Sequence, residues 1–246
     1  MDDPPSDPRP DSRRGPGTDP RTDPRPLLDA LRSAFEEATT DDARGQAFVA
    51  RLFARLDAPG EPCTPRGSAA SRLPACRHLA EAVAPATARA PIRASDPRPA
   101  TPTPGAAAPG AATPGAATPD AVSAVARALE RLAPALDWYR RIGSEAHGHA
   151  FHDGHADAFV IGDGGLETRA RAAVGVSLMA PGLRYPDHHH APEELHLVLS
   201  PGHWRHGASA WFEPGIGGTV HNVPDIVHAM RSGEAPLLAI RCLLDG

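Results

Sequence analysis

Residues 182–202, GLRYPDHHHAPEELHLVLSPG, leave the chain few ways to fold. The run ELHLVL alternates as an extended strand does, and Pro192, which cannot serve a central ladder, separates it from the His-rich run before it. The two runs read as the arms of a β-hairpin. On an extended chain, residues two apart point to one face, so His188 pairs with His190 and Glu194 with His196. A second stretch, GGTVHNVPDIVHAM at 217–230, adds His228 after another turn. Three imidazoles and one carboxylate suit a divalent transition metal, Fe, Zn, Mn or Ni, with a position open for a small ligand.

These residues resemble the two cupin motifs. Gly182, His188, His190, Glu194 and Gly202 follow the first, with one extra residue before the last Gly, and Gly218, Pro224 and His228 follow the second. Ile226 stands where the family usually has Gly, and Ser232 where it has Asn. The resemblance implies a small β-barrel or jelly roll with His188, His190, Glu194 and His228 as metal ligands.

The rest of the chain limits how large that barrel can be. With 29 Pro and 23 Gly in 246 residues, much of the sequence cannot enter regular structure. Residues 1–26 carry eight Pro and no apolar run, which predicts a disordered tail with neither a signal peptide nor a membrane segment. The three cysteines, Cys63, Cys76 and Cys242, show no metal or redox spacing, so a soluble cytoplasmic protein is expected. All the basic residues are Arg, scattered through a chain of net charge -5, and no nucleic-acid surface is expected.

Helical spacing begins at Leu27, Leu28, Leu31 and Phe35 and resumes at Phe48, Leu52, Phe53 and Leu56. A weaker helix is predicted over 75–84. Residues 91–119, in which PGAA recurs every five residues, read as a flexible insertion. A strong amphipathic helix follows over 121–139, with Val122, Val125, Leu129, Leu132 and Leu136 on one stripe. That stripe is expected to cover the first two helices and one outer face of the barrel. Short strands are predicted at 159–161, 173–179, 195–199, 210–212, 219–222 and 237–243, separated by Gly, Pro or Asp turns. The expected fold is mainly β: a C-terminal cupin domain at 143–246, preceded by a helical region at 27–142 that the insertion interrupts. His147, His149, His152 and His155 lack the carboxylate or Cys spacing of a closed metal site and read as ordinary surface or supporting residues.

From about Phe151 onward the chain resembles one cupin subgroup, the dimethylsulfoniopropionate (DMSP) lyases. The phrases that carry this are GVSLMAPGLRYPDHHHAPEELHLVLSPGHWRHG, PGIGGTVHNVPDIVHAMRS and APLLAIRCLL. The resemblance implies a metal-bound substrate carboxylate, removal of the α-proton by a tyrosine oxygen, and departure of dimethyl sulfide to leave acrylate. Tyr185 matches one tyrosine the family uses near the metal. His196 departs from the pattern, because the family usually carries Tyr there as the base, EELYLVL where this chain has EELHLVL. Tyr185 and His196 are therefore the candidate catalytic residues, while Trp138, Tyr139, Trp204 and Trp211 are candidates for an aromatic surface facing a sulfonium. The expected partner is a small-molecule substrate, with no nucleic acid and no membrane, in a chain that could form a homo-oligomer. A cupin that binds or senses a small anion without turning it over, or another cupin metalloenzyme, remains the alternative.

Overall fold

The computed structural model describes residues 19, 21–63, 73–88 and 115–245. Most of the expected tail at 1–26 and of the insertion at 91–119 lies outside these residues. Helix α1 (Arg25–Ala38) starts at prolines, whose fixed φ and missing N–H suit a first turn, and it buries Leu27, Leu28, Leu31, Ala34 and Phe35. Helix α2 (Ala43–Leu56) is capped by Asp42, whose carboxylate accepts from the backbone N–H groups of Arg44 and Gly45. Helix α3 (Leu79–Thr87) follows a 3-10 turn over Pro74–His78.

Helix α4 (Pro119–Leu132) is capped by Thr118, and its stripe of Val122, Val125, Leu129 and Leu132 packs on α1 and α3. The sequence predicts that this helix runs on to Tyr139, but it ends at Leu132. Pro134 cannot donate to the helical ladder, so the chain tightens into a 3-10 turn at Ala133–Ala135 and then extends. Part of the expected insertion is also fixed to the barrel. Ala116 bridges Gly218, and the Ala117 N–H donates to the Gly217 carbonyl at 2.9 Å.

The barrel is built from two sheets. Strands β1 (Glu61–Pro62), β2 (His155–Ile161), β3 (Glu167–Thr168), β4 (Ala172–Met179), β5 (Glu193–Val198), β7 (Thr219–Asn222) and β9 (Leu237–Leu244) form one, in the order β1-β3-β2-β4-β9-β5-β7. Strands β6 (His203–His206) and β8 (His228–Arg231) pair antiparallel as the other. The strand expected at 210–212 touches this second sheet only through the Trp204–Phe212 bridge. β6 takes the ladder instead, because its Trp204 and His206 are the residues that fill the interior. The histidine-rich segment before β2 is a short helix, α5 (His149–Gly154).

Alternation along the strands separates two cores. Leu195 and Leu197 of β5 join Val174, Val176 and Leu178 of β4 and Leu238, Ile240 and Cys242 of β9 in the cluster that includes all of the helices' buried faces except α5. The opposite face of the sheet, with Met179, Val198, Val220, Leu237 and Ala239, packs inside the barrel around Trp204, Tyr185 and Phe151. Helices cover the outer face and the barrel interior encloses the inner one, which is why β5 is buried nearly end to end.

A polar clamp ties α2 to β5. Arg51 donates to Glu193 Oε2 at 2.6 Å, and His221 Nε2 lies 2.7 Å from Glu193 Oε1. Burial disfavours the Glu193 charge, but Arg51 and His221 outweigh it and hold the carboxyl below its ordinary value. A depressed carboxyl contributes stability that is present above its unfolded pKa and lost as pH falls through its folded one. Because Arg51 is half exposed, Arg51→Ala is expected to cost no more than about 1 kcal/mol. Thermal melts at neutral pH should show a drop of about 2–4 °C, shrinking in acid.

Candidate metal centre

The inward face of β5 carries Glu194, His196 and Val198, and register decides what each one meets. Glu194 pairs with Leu243 and Asn222, and His196 with Arg241 and Val220. Arg241 in turn lies opposite Gly175, and Gly175 opposite Phe159, so one cross-strand row reads Phe159, Gly175, Arg241, His196. Gly175 is needed there: a Cβ would come within 2.9 Å of Arg241 Nε and 3.0 Å of the Ala158 carbonyl oxygen. The next row inward places Asp157 beside Ser177, whose hydroxyl donates to Asp157 Oδ1 at 2.7 Å.

His188 and His190 reach the site from the loop before β5, and His228 from the start of β8. Mutual backbone hydrogen bonds between His188 and His228 hold the two segments together. The second-motif turn forms without its usual glycine because Asp225, one residue earlier, takes the left-handed conformation at φ 58, which a short acidic side chain tolerates. The Asp225 N–H then donates to the His190 carbonyl at 2.9 Å. Ser232, where Asn is usual, ties the first motif to β8: its hydroxyl lies 2.8 Å from the Leu183 N–H and 2.7 Å from the Ala180 carbonyl.

Each of the three imidazoles has Nδ1 2.9 Å from a backbone carbonyl, that of Pro186 for His188, Pro192 for His190 and Ile226 for His228. A carbonyl can only accept, so every Nδ1 carries a proton, and in the neutral ring Nε2 keeps its lone pair. The three rings lie together, with one ligand atom from each within 4.8 Å of the others. Glu194 joins them, with Oε2 3.3 Å from His190 Nε2 and 3.4 Å from His228 Nε2. His228 Nε2 is buried and has no hydrogen-bond partner. An orphaned lone pair facing two other imidazoles and a carboxylate is the donor set of a divalent transition metal, and the residues fit one.

Charge is distributed to match. Burial and neighbouring His228 push the His188 imidazole down to about 3, keeping it neutral. Burial also works against charge on His190, but the Glu194 carboxylate overrides it and raises that imidazole. Glu194 is fully buried yet held well below the usual carboxylate range by His196, His190 and His228. Its outer support is a relay: His206 Nε2 lies 2.8 Å from Asn222 Oδ1, and Asn222 Nδ2 donates to Glu194 Oε2 at 2.8 Å.

Tyr185 and His196, the two candidate catalytic residues, both line the cavity. Trp204 Nε1–H donates to His196 Nδ1 at 3.2 Å, which leaves the proton on Nε2, 3.3 Å from Glu194 Oε1. Both ring nitrogens of His196 are therefore engaged, and neither is left to take a proton or bind a metal. Of the expected aromatic surface, only Tyr139 reaches the cavity. Trp138 is buried and donates to Ala133, Trp204 is held by His196, and Trp211 sits among Arg184, Arg205 and Arg231.

The cavity measures about 360 Å³, and besides the metal donors it is lined by Tyr139, Arg141, Asp157, Ser177 and Arg241, four of which the sequence did not single out. The four earlier histidines stay outside. His155 accepts from the Arg141 N–H at 3.0 Å, His152 bonds Ser144, and among the described residues only His188, His190 and His228 group as metal donors.

The family model for dimethylsulfoniopropionate lyase matches residues 106–239. A Cereibacter sphaeroides protein named "Putative dimethylsulfoniopropionate lyase DddL" is 29% identical over 113 residues, 46% of this chain and 47% of that protein. The chain thus matches about half the length of that curated relative. Among solved structures, one reported with the DMSP lyases RdDddP and RnDddQII aligns at TM-score 0.63 and 21% identity, over 93% of this chain and 95% of the other. DddQ from Ruegeria pomeroyi aligns at TM-score 0.53 and 20% identity, over 90% and 92%. These likenesses extend the shared fold to the N-terminal helices, and a family model spanning more than half the sequence settles membership: this chain belongs to the dimethylsulfoniopropionate lyase family.

Proposed function

We propose that the protein is a metal-dependent carbon–sulfur lyase that cleaves dimethylsulfoniopropionate to dimethyl sulfide and acrylate by β-elimination. The observation that carries this is the convergence of His188, His190, His228 and Glu194 in a cavity that also contains two phenols. We assign those four residues as ligands. A dication held there would supply Lewis acidity, drawing charge toward the substrate carboxylate as the α-proton leaves.

The protein's own residues do the rest. Nδ1 contacts to backbone carbonyls fix the three rings, and Asn222 and His196 fix Glu194, so the donor set is oriented before anything binds. Tyr185, packed against Phe151 and His188, forms an apolar wall with a polar tip. A sulfonium leaves as a neutral thioether, so the site needs no general acid.

A second reading, a cupin that binds a small anion without turnover, is favoured by one observation: the family's usual tyrosine is replaced by a His196 whose nitrogens are both occupied. Headspace dimethyl sulfide and dissolved acrylate, measured after adding DMSP to metal-loaded protein, separate the two. Stoichiometric release of both products is expected. A metal-replete protein that binds DMSP and releases neither would leave the second reading standing.

A further inference from the structure

The chain contains two tyrosines, and both line the cavity. They differ in the group that meets each hydroxyl. The Tyr185 hydroxyl points at a carboxylate, 3.5 Å from Asp157 Oδ2, and the residue is only 7% exposed. Burial and Asp157 together push its phenol far up. The Tyr139 oxygen instead accepts a hydrogen bond from Arg241 Nη2 at 2.7 Å, its ring stacks on Phe159, and it is 36% exposed. Burial, with a further push from Asp157, leaves this phenol above its ordinary value as well, but here the Arg241 guanidinium offsets part of the rise.

The other groups of the cavity that could accept a proton, Asp157 and His196, are engaged. Asp157 accepts from Ser177 and lies 3.8 Å from Arg241, and both nitrogens of His196 are bonded. A charge-assisted donor aimed at a phenol oxygen favours the phenolate, whereas a facing carboxylate favours the phenol. Partial exposure also gives Tyr139 a route to pass a proton to water, which Tyr185 lacks.

We propose that Tyr139 is the catalytic base of the elimination, with Arg241 as its positioning residue. The assignment rests on the lyase reading above and moves the base from the strand position where the family resemblance puts it to the segment joining α4 to the barrel. In the step, the Cα–H bond breaks and the proton forms an O–H bond on the Tyr139 phenolate. The freed electron pair becomes the Cα–Cβ double bond, and the Cβ–S bond breaks with its pair going to sulfur, which leaves as neutral dimethyl sulfide. Tyr139 then returns the proton to water.

Tyr139→Phe keeps the stack on Phe159 and should lower kcat by ~10²–10⁴-fold, with metal content and acrylate affinity unchanged. Tyr185→Phe should retain far more turnover. That variant also leaves Tyr139 as the sole phenol, so its ionisation can be followed by the ultraviolet phenolate band without any substrate. Arg241 and Asp157 are the charged groups facing it. In the Tyr185→Phe background, Arg241→Gln should move the titration midpoint up, and Arg241→Lys should move it less. If the wild type releases dimethyl sulfide and Tyr139→Phe matches it, or if Arg241→Gln leaves the midpoint in place, Tyr139 is not the base although the lyase reading survives. A wild type silent at full metal occupancy removes both.

Discussion

His228→Ala is expected to empty the metal centre. His228 Nε2 is a buried nitrogen with no hydrogen-bond partner, and it faces His188, His190 and Glu194. Removing it takes away one of four donors and leaves Glu194 buried with less to balance its charge. Changes to the groups that only orient ligands typically cost 10–100-fold in metal affinity, so loss of a ligand should cost ~100-fold or more. Asn222→Ala, which breaks the relay to Glu194, should fall in the smaller range. His147→Ala, on an exposed ring outside the cavity, should bind metal as the wild type does. Metal content after purification, followed by competition with a chelator, ranks the three. A His228→Ala protein that keeps stoichiometric metal would overturn the ligand assignment.

Phe35→Ala should have the largest effect on stability. Phe35 is fully buried on α1, in the cluster where α1 meets α4 and the outer face of the sheet. Truncating a buried Phe costs about 3–5 kcal/mol, a large share of the ~5–15 kcal/mol that holds a typical domain together. Melting should fall by about 10 °C or more. Glu36→Ala, one residue on and exposed, should change stability by no more than about 0.5 kcal/mol. The metal centre lies on the opposite face of the sheet from Phe35, so the fraction of Phe35→Ala that remains folded should carry its full metal complement. A Phe35→Ala protein that melts with the wild type would show that the helices are not part of the cooperative core.

Local sequence carries much of this architecture. Period-2 alternation in ELHLVL is a property of neighbours along the chain, and β5 follows from it, but the hairpin expected to carry His188 and His190 does not form: both lie in the loop before β5, which pairs instead with β7 and β9, and their two-residue spacing is met by that loop rather than by a strand face. Helices α1, α2 and α4 are legible for the same reason, since each has a clear apolar stripe. Relations between strands are not legible in that way. Arg241 and Asp157 reach the cavity because β9 and β2 pair with β4 in one particular register, and nothing near either residue in sequence announces it. His196 shows the limit most clearly. Spacing places it on the inward face, but its role depends on Trp204, eight residues away across a turn, which fixes the tautomer. Asp225 is a subtler case: the left-handed position of the second motif survives the loss of its glycine by moving one residue earlier, a shift that motif matching reads as a defect.

The apolar outer face of β4, β5 and β9 has a consequence for how the protein can be divided. A barrel with one oily flank ordinarily needs a second copy to shelter it, and here the helices from the same chain fill that role. Residues 143–246 made alone would present that flank to water and should aggregate or self-associate. Supplying residues 21–142 as a separate polypeptide should rescue them, so that the helical half acts as a built-in subunit of a barrel that cannot stand by itself.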